Sequence, residues 1–150
     1  MIFSLYLNIK ENINNIMSKN LVSYDFDGVI HTDVWLDHRG QYHPNTFTNY
    51  RKWMDNINYK IVKQIKKDYK KYDLVILTAR SKKYYNYLKK FLKKTKLDKY
   101  FKKIICSSGR HKSSIINKLG IVKHYDDSPV VHHDILENCK NTKLVKVKVN

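Results

Sequence analysis

The chain has 150 residues, 42% of them hydrophobic, and a formal charge of +17 from 30 Lys+Arg against 13 Asp+Glu. That length and apolar content suit one globular domain with a buried core, and no apolar run approaches membrane-spanning length. The cation excess predicts polyanionic partners, either nucleic acid or other phosphorylated substrates. A compositional bias is the competing explanation, since Lys, Asn, Ile and Tyr are all plentiful.

Cys106 and Cys139 are far apart and form no Cys-x-x-Cys pair. This predicts a reducing, cytoplasmic setting and no zinc site, with a single disulfide as the alternative. A nuclear or viral context is compatible with the same pattern. Residues 1–7 are apolar but lack a basic leader and a small-residue cleavage site, so no signal peptide is expected. Residues 1–16 read as an extension, and the compact domain is expected to span 17–150.

The first buried strand lies in residues 21–32, where an apolar run climbs to Asp25, followed by Asp27 and Gly28. At strand spacing, positions i and i+2 point the same way, so the two carboxylates can face one small volume. They repel unless a cation or a shared proton lies between them. An Asp-x-Asp-Gly also opens calcium loops, but those need further acids and a closing Glu, and none stands at the closing position here.

Residues 28–44 are polar and aromatic, with a turn signal at 37–40 that predicts a small hairpin. Residues 45–72 place Phe47, Tyr50, Met54, Ile57, Ile61, Ile65 and Tyr69 at steps of three and four, predicting one long amphipathic helix or two consecutive ones. Residues 73–80 form a second buried strand ending at Thr78, whose hydroxyl can donate to a phosphate oxygen or cap the next helix. Arg80 follows, and a guanidinium suits oxyanions. Residues 81–95 are helical with Tyr84, Leu88, Phe91 and Leu92 buried. The surrounding lysines form the densest basic surface in the chain, either a nucleic-acid track or a solvated face.

A third strand is expected at 103–106, a loop at 107–111, and a short helix from Lys112 closed by Gly120. A fourth strand leads to Asp126 and Asp127, with Ser128 and Pro129 turning away. Two adjacent acids there suit a hard cation, or else a polar turn. Residues 130–141 read as a loop or short helix. His132 and His133 in it lack further ligands at metal-binding spacing and are read as surface residues. Residues 143–149 alternate Lys with Leu or Val, as in a final strand with one polar face. The strand–helix alternation predicts an α/β fold around a mostly parallel sheet, with ligands beyond the carboxyl ends of its strands.

In this order, Asp25-Phe-Asp27-Gly28, Thr78, Lys112 and Asp126-Asp127-Ser-Pro resemble the four motifs of the haloacid dehalogenase (HAD) superfamily, aspartate-nucleophile phosphatases and phosphotransferases. Asp-Asp-Ser-Pro is similar to the small capless protein phosphatases of that group. The resemblance covers about residues 21–149. It implies a Rossmann-like three-layer sandwich without a large cap domain, and magnesium held by Asp25, the backbone carbonyl of Asp27, and Asp126 or Asp127. It implies Asp25 as nucleophile, Asp27 as general acid and base, and Thr78 and Lys112 as holders of the phosphoryl group. Gly28, Thr78, Ala79, Arg80 and Lys112 would line the substrate, with Lys118 and Lys123 as rivals for the third motif. Trp35, His38 and Arg39 would lie beside the site unless 28–44 is an ordinary surface hairpin.

An open, capless site suits large substrates. Joined to the charge, this favours a terminal phosphate on DNA or RNA, with free nucleotides or phosphoproteins as alternatives. A basic nucleic-acid-binding protein without useful turnover is the alternative of another class. No P-loop lysine motif is present, so no kinase activity is implied.

Overall fold

The computed structural model describes residues 19–32 and 56–148. The extension at 1–16, the domain start near Met17, and the hairpin carrying Trp35, His38 and Arg39 lie outside the described residues. The elements are β1 (Leu21–Tyr24), α1 (Tyr59–Tyr69), β2 (Asp73–Thr78), α2 (Tyr85–Lys94), β3 (Phe101–Cys106), α3 (Lys112–Leu119), β4 (Lys123–Asp126), α4 (Pro129–Asn138) and β5 (Lys143–Lys146). Single turns of 3₁₀ helix, Lys82–Tyr84 and Asp98–Tyr100, precede α2 and β3.

The five strands among the described residues are all parallel, in the order β3-β2-β1-β4-β5. The expected α/β architecture is therefore present. The chain runs outward from β1 to β3, then returns to the other side of β1 with β4. The order reverses between β1 and β4, and in open α/β sheets a ligand crevice forms at that reversal. Tyr24 pairs with Tyr125 in register, so Asp25 and Asp126 emerge side by side at the carboxyl ends of adjacent strands.

Alternation along the strands builds the three layers. Leu74 and Ile76 of β2 pack with Ile61 and Ile65 of α1 and with Leu88, Phe91 and Leu92 of α2. Val75 and Leu77 point the other way, onto Ile116 of α3 and Ile135 of α4. Burying each of these large side chains contributes about 1.5–3 kcal/mol. Cys106 and Cys139 are buried and free.

Several boundaries differ from expectation. Of the helical region predicted at 45–72 as one helix or two, residues 45–55 lie outside the described residues, and α1 starts at Tyr59. Thr32 bonds the Asn56 carbonyl through its amide, at 2.7 Å, and the Asn58 amide bonds the Ile30 carbonyl, at 2.9 Å. These bonds tie the segment back beside β1, and the Asn58 side chain accepts from the Ile61 amide to cap the helix. Tyr69, expected in the core, is exposed, and Asp68 is buried in its place. Of the 130–141 segment, read as a loop or short helix, residues up to Asn138 are in α4, with Pro129 in its first turn, where a missing N–H costs nothing.

Asp68 is tolerated inside because four donors meet it. Tyr24 and Tyr125 donate to Oδ2 at 2.6 and 2.8 Å, and Lys123 and Gln64 to Oδ1 at 3.0 and 3.1 Å. The two tyrosine rings stack at 4.2 Å. Burial alone would raise the Asp68 carboxyl, but the bonds from Tyr24, Tyr125 and Lys123 outweigh it and hold the group below its usual range. A depressed carboxyl stabilises the fold above its unfolded value near 4, and loses that contribution as pH falls through the lower folded value. Asp68→Asn is expected to cost about 3 kcal/mol at pH 7, because buried donors lose their acceptor. Chemical denaturation should show that gap narrowing below about pH 4, where protonation removes the native advantage as well.

Candidate functional site

Asp25 ends β1 and is 7% exposed. Its amide donates to the Tyr125 carbonyl at 2.9 Å, and its Oδ1 accepts from the Phe26 amide at 2.8 Å. Lys112, the first residue of α3, reaches in from the adjacent layer and is 4% exposed. Its Nζ lies 3.0 Å from Asp25 Oδ1 and 2.7 Å from Asp126 Oδ2. A cation at a helix N-terminus opposes the helix dipole, so Lys112 is held there by the carboxylates rather than by its helix. Of its rivals, Lys123 is bonded to Asp68, and Lys118 is exposed.

Asp126 is fully buried and fully engaged. Besides Lys112, Oδ2 meets His124 Nε2 at 2.8 Å, and Oδ1 accepts from the Ser128 amide at 3.0 Å. His124 in turn meets the Ser23 hydroxyl through Nδ1 at 2.6 Å. A carboxylate only accepts, so the hydrogen sits on Nε2, and Nδ1 of the neutral ring accepts from Ser23. Burial, with Lys112 adding to it, keeps His124 below its ordinary value and so uncharged. Burial works to raise Asp126, but His124 and Lys112 more than offset it and hold the carboxyl well below the usual range. His132, expected at the surface, is half-buried and donates from Nε2 to the Asp126 carbonyl at 2.7 Å. His133 is exposed beside Glu137.

Asp127 lies over Gly28. A methyl group on Gly28 would stand 2.0 Å from Asp127 Oδ2, and Gly28 has φ +75, where a side chain is strained. Burial and then Asp126 push the Asp127 carboxyl up. Burial does the same to Asp25, raising it well above the normal range despite Lys112, with Asp126 and Asp27 adding repulsion.

Asp25, Asp126 and Asp127 each offer an oxygen within 4.8 Å of the others. Three carboxylates facing one ammonium leave an excess of negative charge that a divalent cation would neutralise. The raised Asp25 and Asp127 are the groups that such a cation would relieve, so the donor set fits magnesium. Asp126 already spends both oxygens on protein donors, which leaves Asp127 the better placed of the adjacent pair for direct contact.

The Asp27 side chain does not join this cluster. Arg80 binds it in bidentate fashion, Nε to Oδ2 at 2.7 Å and Nη2 to Oδ1 at 2.5 Å. The guanidinium is buried and lies 5.6 Å from the ring centres of both Phe26 and Tyr84. Arg80, read from sequence as a phosphate clamp, is paired here with Asp27. Thr78 is fully buried, and its hydroxyl accepts from the Arg80 amide at 3.2 Å. Ala79 is exposed at the mouth of the site. The 79–80 turn is stitched to the next loop through Ser107 amide to Thr78 carbonyl, at 2.8 Å, Ser108 to Arg80, at 3.2 Å, and Gly109 to Ala79, at 3.2 Å. The Ser107 hydroxyl is buried without a hydrogen-bond partner among the described residues.

Sequence reasoning missed Ser23, His124 and Ser107. His124 and Asp126 stand at i and i+2 on one strand, the same spacing that drew attention to Asp25 and Asp27, so period-two logic could have found that pair. Ser23 and Ser107 carry no such signal.

No family model matches this sequence. An uncharacterized protein of Acanthamoeba polyphaga mimivirus is 36% identical over 117 residues, which span 75% of this chain and 23% of that protein. The chain thus matches about a quarter of its relative's length. Among solved structures, the Pnkp1/Rnl/Hen1 RNA repair complex contains a chain with TM-score 0.60 and 17% identity, covering 87% of this chain and 42% of that one. A HAD-superfamily hydrolase from Geobacter sulfurreducens gives TM-score 0.55 at 13% identity, covering 86% and 89%. A predicted HAD-like hydrolase from Porphyromonas gingivalis gives 0.53 at 15%, covering 88% and 92%. The chain has a HAD-like fold. No helix among the described residues is long and apolar enough to cross a membrane.

Gly28→Ala tests the packing of Asp127. Strain at the positive φ and the displaced carboxylate should cost about 1–3 kcal/mol in chemical denaturation. Magnesium is expected to raise the thermal midpoint of the native protein, and that rise should shrink or vanish in the variant.

Proposed function

We propose that this protein is a magnesium-dependent phosphohydrolase that works through an aspartyl-phosphate on Asp25. The observation that carries the reading is the convergence of Asp25, Lys112, Asp126 and Asp127 where the strand order reverses. Hydrolases of the same fold support it.

Asp25, Asp127 and the backbone carbonyl of Asp27 would hold magnesium, which would supply positive charge against the phosphoryl oxygens. Lys112 adds a fixed ammonium, which stabilises charge that develops on those oxygens. Thr78 donates its hydroxyl to one of them. Asp25 Oδ attacks phosphorus as the ester oxygen departs, and the phosphoryl group passes to the carboxylate. Asp27 gives a proton to the departing oxygen, then takes one from the water that cleaves the aspartyl-phosphate. Arg80 fixes the direction of Asp27 during both transfers. Gly28, Ala79 and Arg80 border the space where the ester enters, and Asp126 holds Lys112 in place while His124 holds Asp126.

The substrate is a terminal phosphate on a large molecule, DNA or RNA before free nucleotides or phosphoproteins. The charge of +17 favours a polyanion. The structural likeness to a chain of an RNA repair complex points the same way.

Phosphate release from 3′- and 5′-phosphorylated oligonucleotides, nucleotides and a phosphopeptide tests the reading. Turnover should need magnesium and should fall by on the order of 10³-fold or more in Asp25→Asn, the scale on which loss of a nucleophile registers. The preferred panel member identifies the substrate class. Salt-sensitive nucleic-acid binding without release from any member would overturn the enzyme in favour of a binding protein.

A further inference from the structure

β3 is an edge strand of the sheet, bonded to β2 on one side. Two grooves open along its carboxyl-terminal half. One, of about 570 Å³, lies between Lys82, Tyr85, Ile104 and Arg110. The other, of about 520 Å³, lies between Lys103, Arg110, Ile115 and Lys118. Ile105 and Arg110 line both, so the two are halves of one trough that passes over the sheet edge.

The trough is basic with an apolar floor. Lys82, Lys103, Arg110 and Lys118 border it, and among the described residues no Asp or Glu lines either half. The neighbouring Lys102 on β3 is neutralised by Asp73. None of the four trough cations makes an ion pair with a described carboxylate. Tyr85 stands 40% exposed in the wall, and Ile104 and Ile105 lie half-buried beneath. Spaced cations around an exposed aromatic ring match the chemistry of unpaired nucleotides, in which phosphates meet Lys or Arg and a base stacks on the ring.

The trough also leads to the phosphoryl site. Arg110 is in the loop that three backbone bonds tie to Thr78, Ala79 and Arg80, and its Nε donates to the Ser107 carbonyl at 3.3 Å. Lys82 follows Arg80 by two residues. β3 lies two strands from β1, about 10 Å at ordinary strand spacing. A chain whose end phosphate sits at Asp25 therefore reaches the trough within its next few nucleotides.

We propose that this trough binds the single-stranded nucleotides adjoining the terminal phosphate, and so makes the protein selective for polynucleotide ends over free nucleotides. The proposal rests on the phosphohydrolase reading for the position of that phosphate. An acidic peptide added along the free β3 edge is the rival occupant.

Binding is read by fluorescence anisotropy with a labelled, end-phosphorylated 12-nucleotide single strand. Asp25→Asn protein is used with and without the added changes Lys103→Glu and Arg110→Glu, or Tyr85→Ala. All three positions are exposed, and thermal midpoints confirm folding. The double charge reversal should weaken binding at least tenfold and lower the salt slope by about 1.4, about 0.7 for each single-strand phosphate no longer neutralised. Tyr85→Ala should weaken binding to the single strand several-fold and to the matching duplex little. With Asp25 restored, KM for the oligonucleotide should rise, and kcat for p-nitrophenyl phosphate, which has no strand to fill the trough, should hold.

Unchanged oligonucleotide affinity in these variants overturns the trough, even where the native enzyme releases phosphate. So does a polyglutamate peptide that binds as tightly as the strand and ignores Tyr85→Ala. If the native protein hydrolyses nothing but the variants lose strand affinity as stated, the binding surface stands and the phosphatase reading falls.

Discussion

One buried ammonium among three carboxylates is the constraint on which the rest of the site depends. Lys112 reaches Asp25 and Asp126 at 3.0 and 2.7 Å with almost no exposure to water. Such pairs rarely add net stability, because desolvation offsets much of the attraction. Burial pushes Asp25 up, and the ammonium only partly offsets that. The excess of negative charge that remains on the cluster suits a cation. Asp127 extends the negative charge toward Gly28, the position where a side chain cannot fit.

The two faces of the sheet divide the work of supporting that cluster. On the α1 and α2 face, Tyr24, Tyr125 and Asp68 form a satisfied network above a continuous apolar core. On the other face, Ser23, His124 and Asp126 make a polar chain that ends at Lys112. The alternation of side chains along β1 and β4 separates the two networks by one residue. Stability and chemistry therefore occupy neighbouring positions on the same strands.

How much of this was legible follows from the physics of each signal. β1 and β2 read clearly because parallel strands covered on both faces are short apolar runs. The acids at the ends of β1 and β4 stood out because carboxylates rarely follow such runs without use. Lys112 was separable from other lysines only by its place at a helix start. The start of α1 was not legible because periodicity continues across 56–58, where the backbone bonds back to Thr32 and Ile30. Asp68 was missed because a buried carboxylate depends on donors that are distant in sequence. The Arg80–Asp27 pair, 53 residues apart, and the Ser23–His124 bond, 101 residues apart, exist only once the sheet is formed.

The central claim is that Asp25, steadied by Lys112 and opposed by its neighbouring acids, is the group that takes the phosphoryl unit. Acid quench during turnover of a ³²P-end-labelled oligonucleotide, followed by peptide mapping, tests it most directly. The account predicts hydroxylamine-labile label on the peptide containing Asp25. Steady release of phosphate with no label on the protein at any quench time, or label mapped to another side chain, would contradict it.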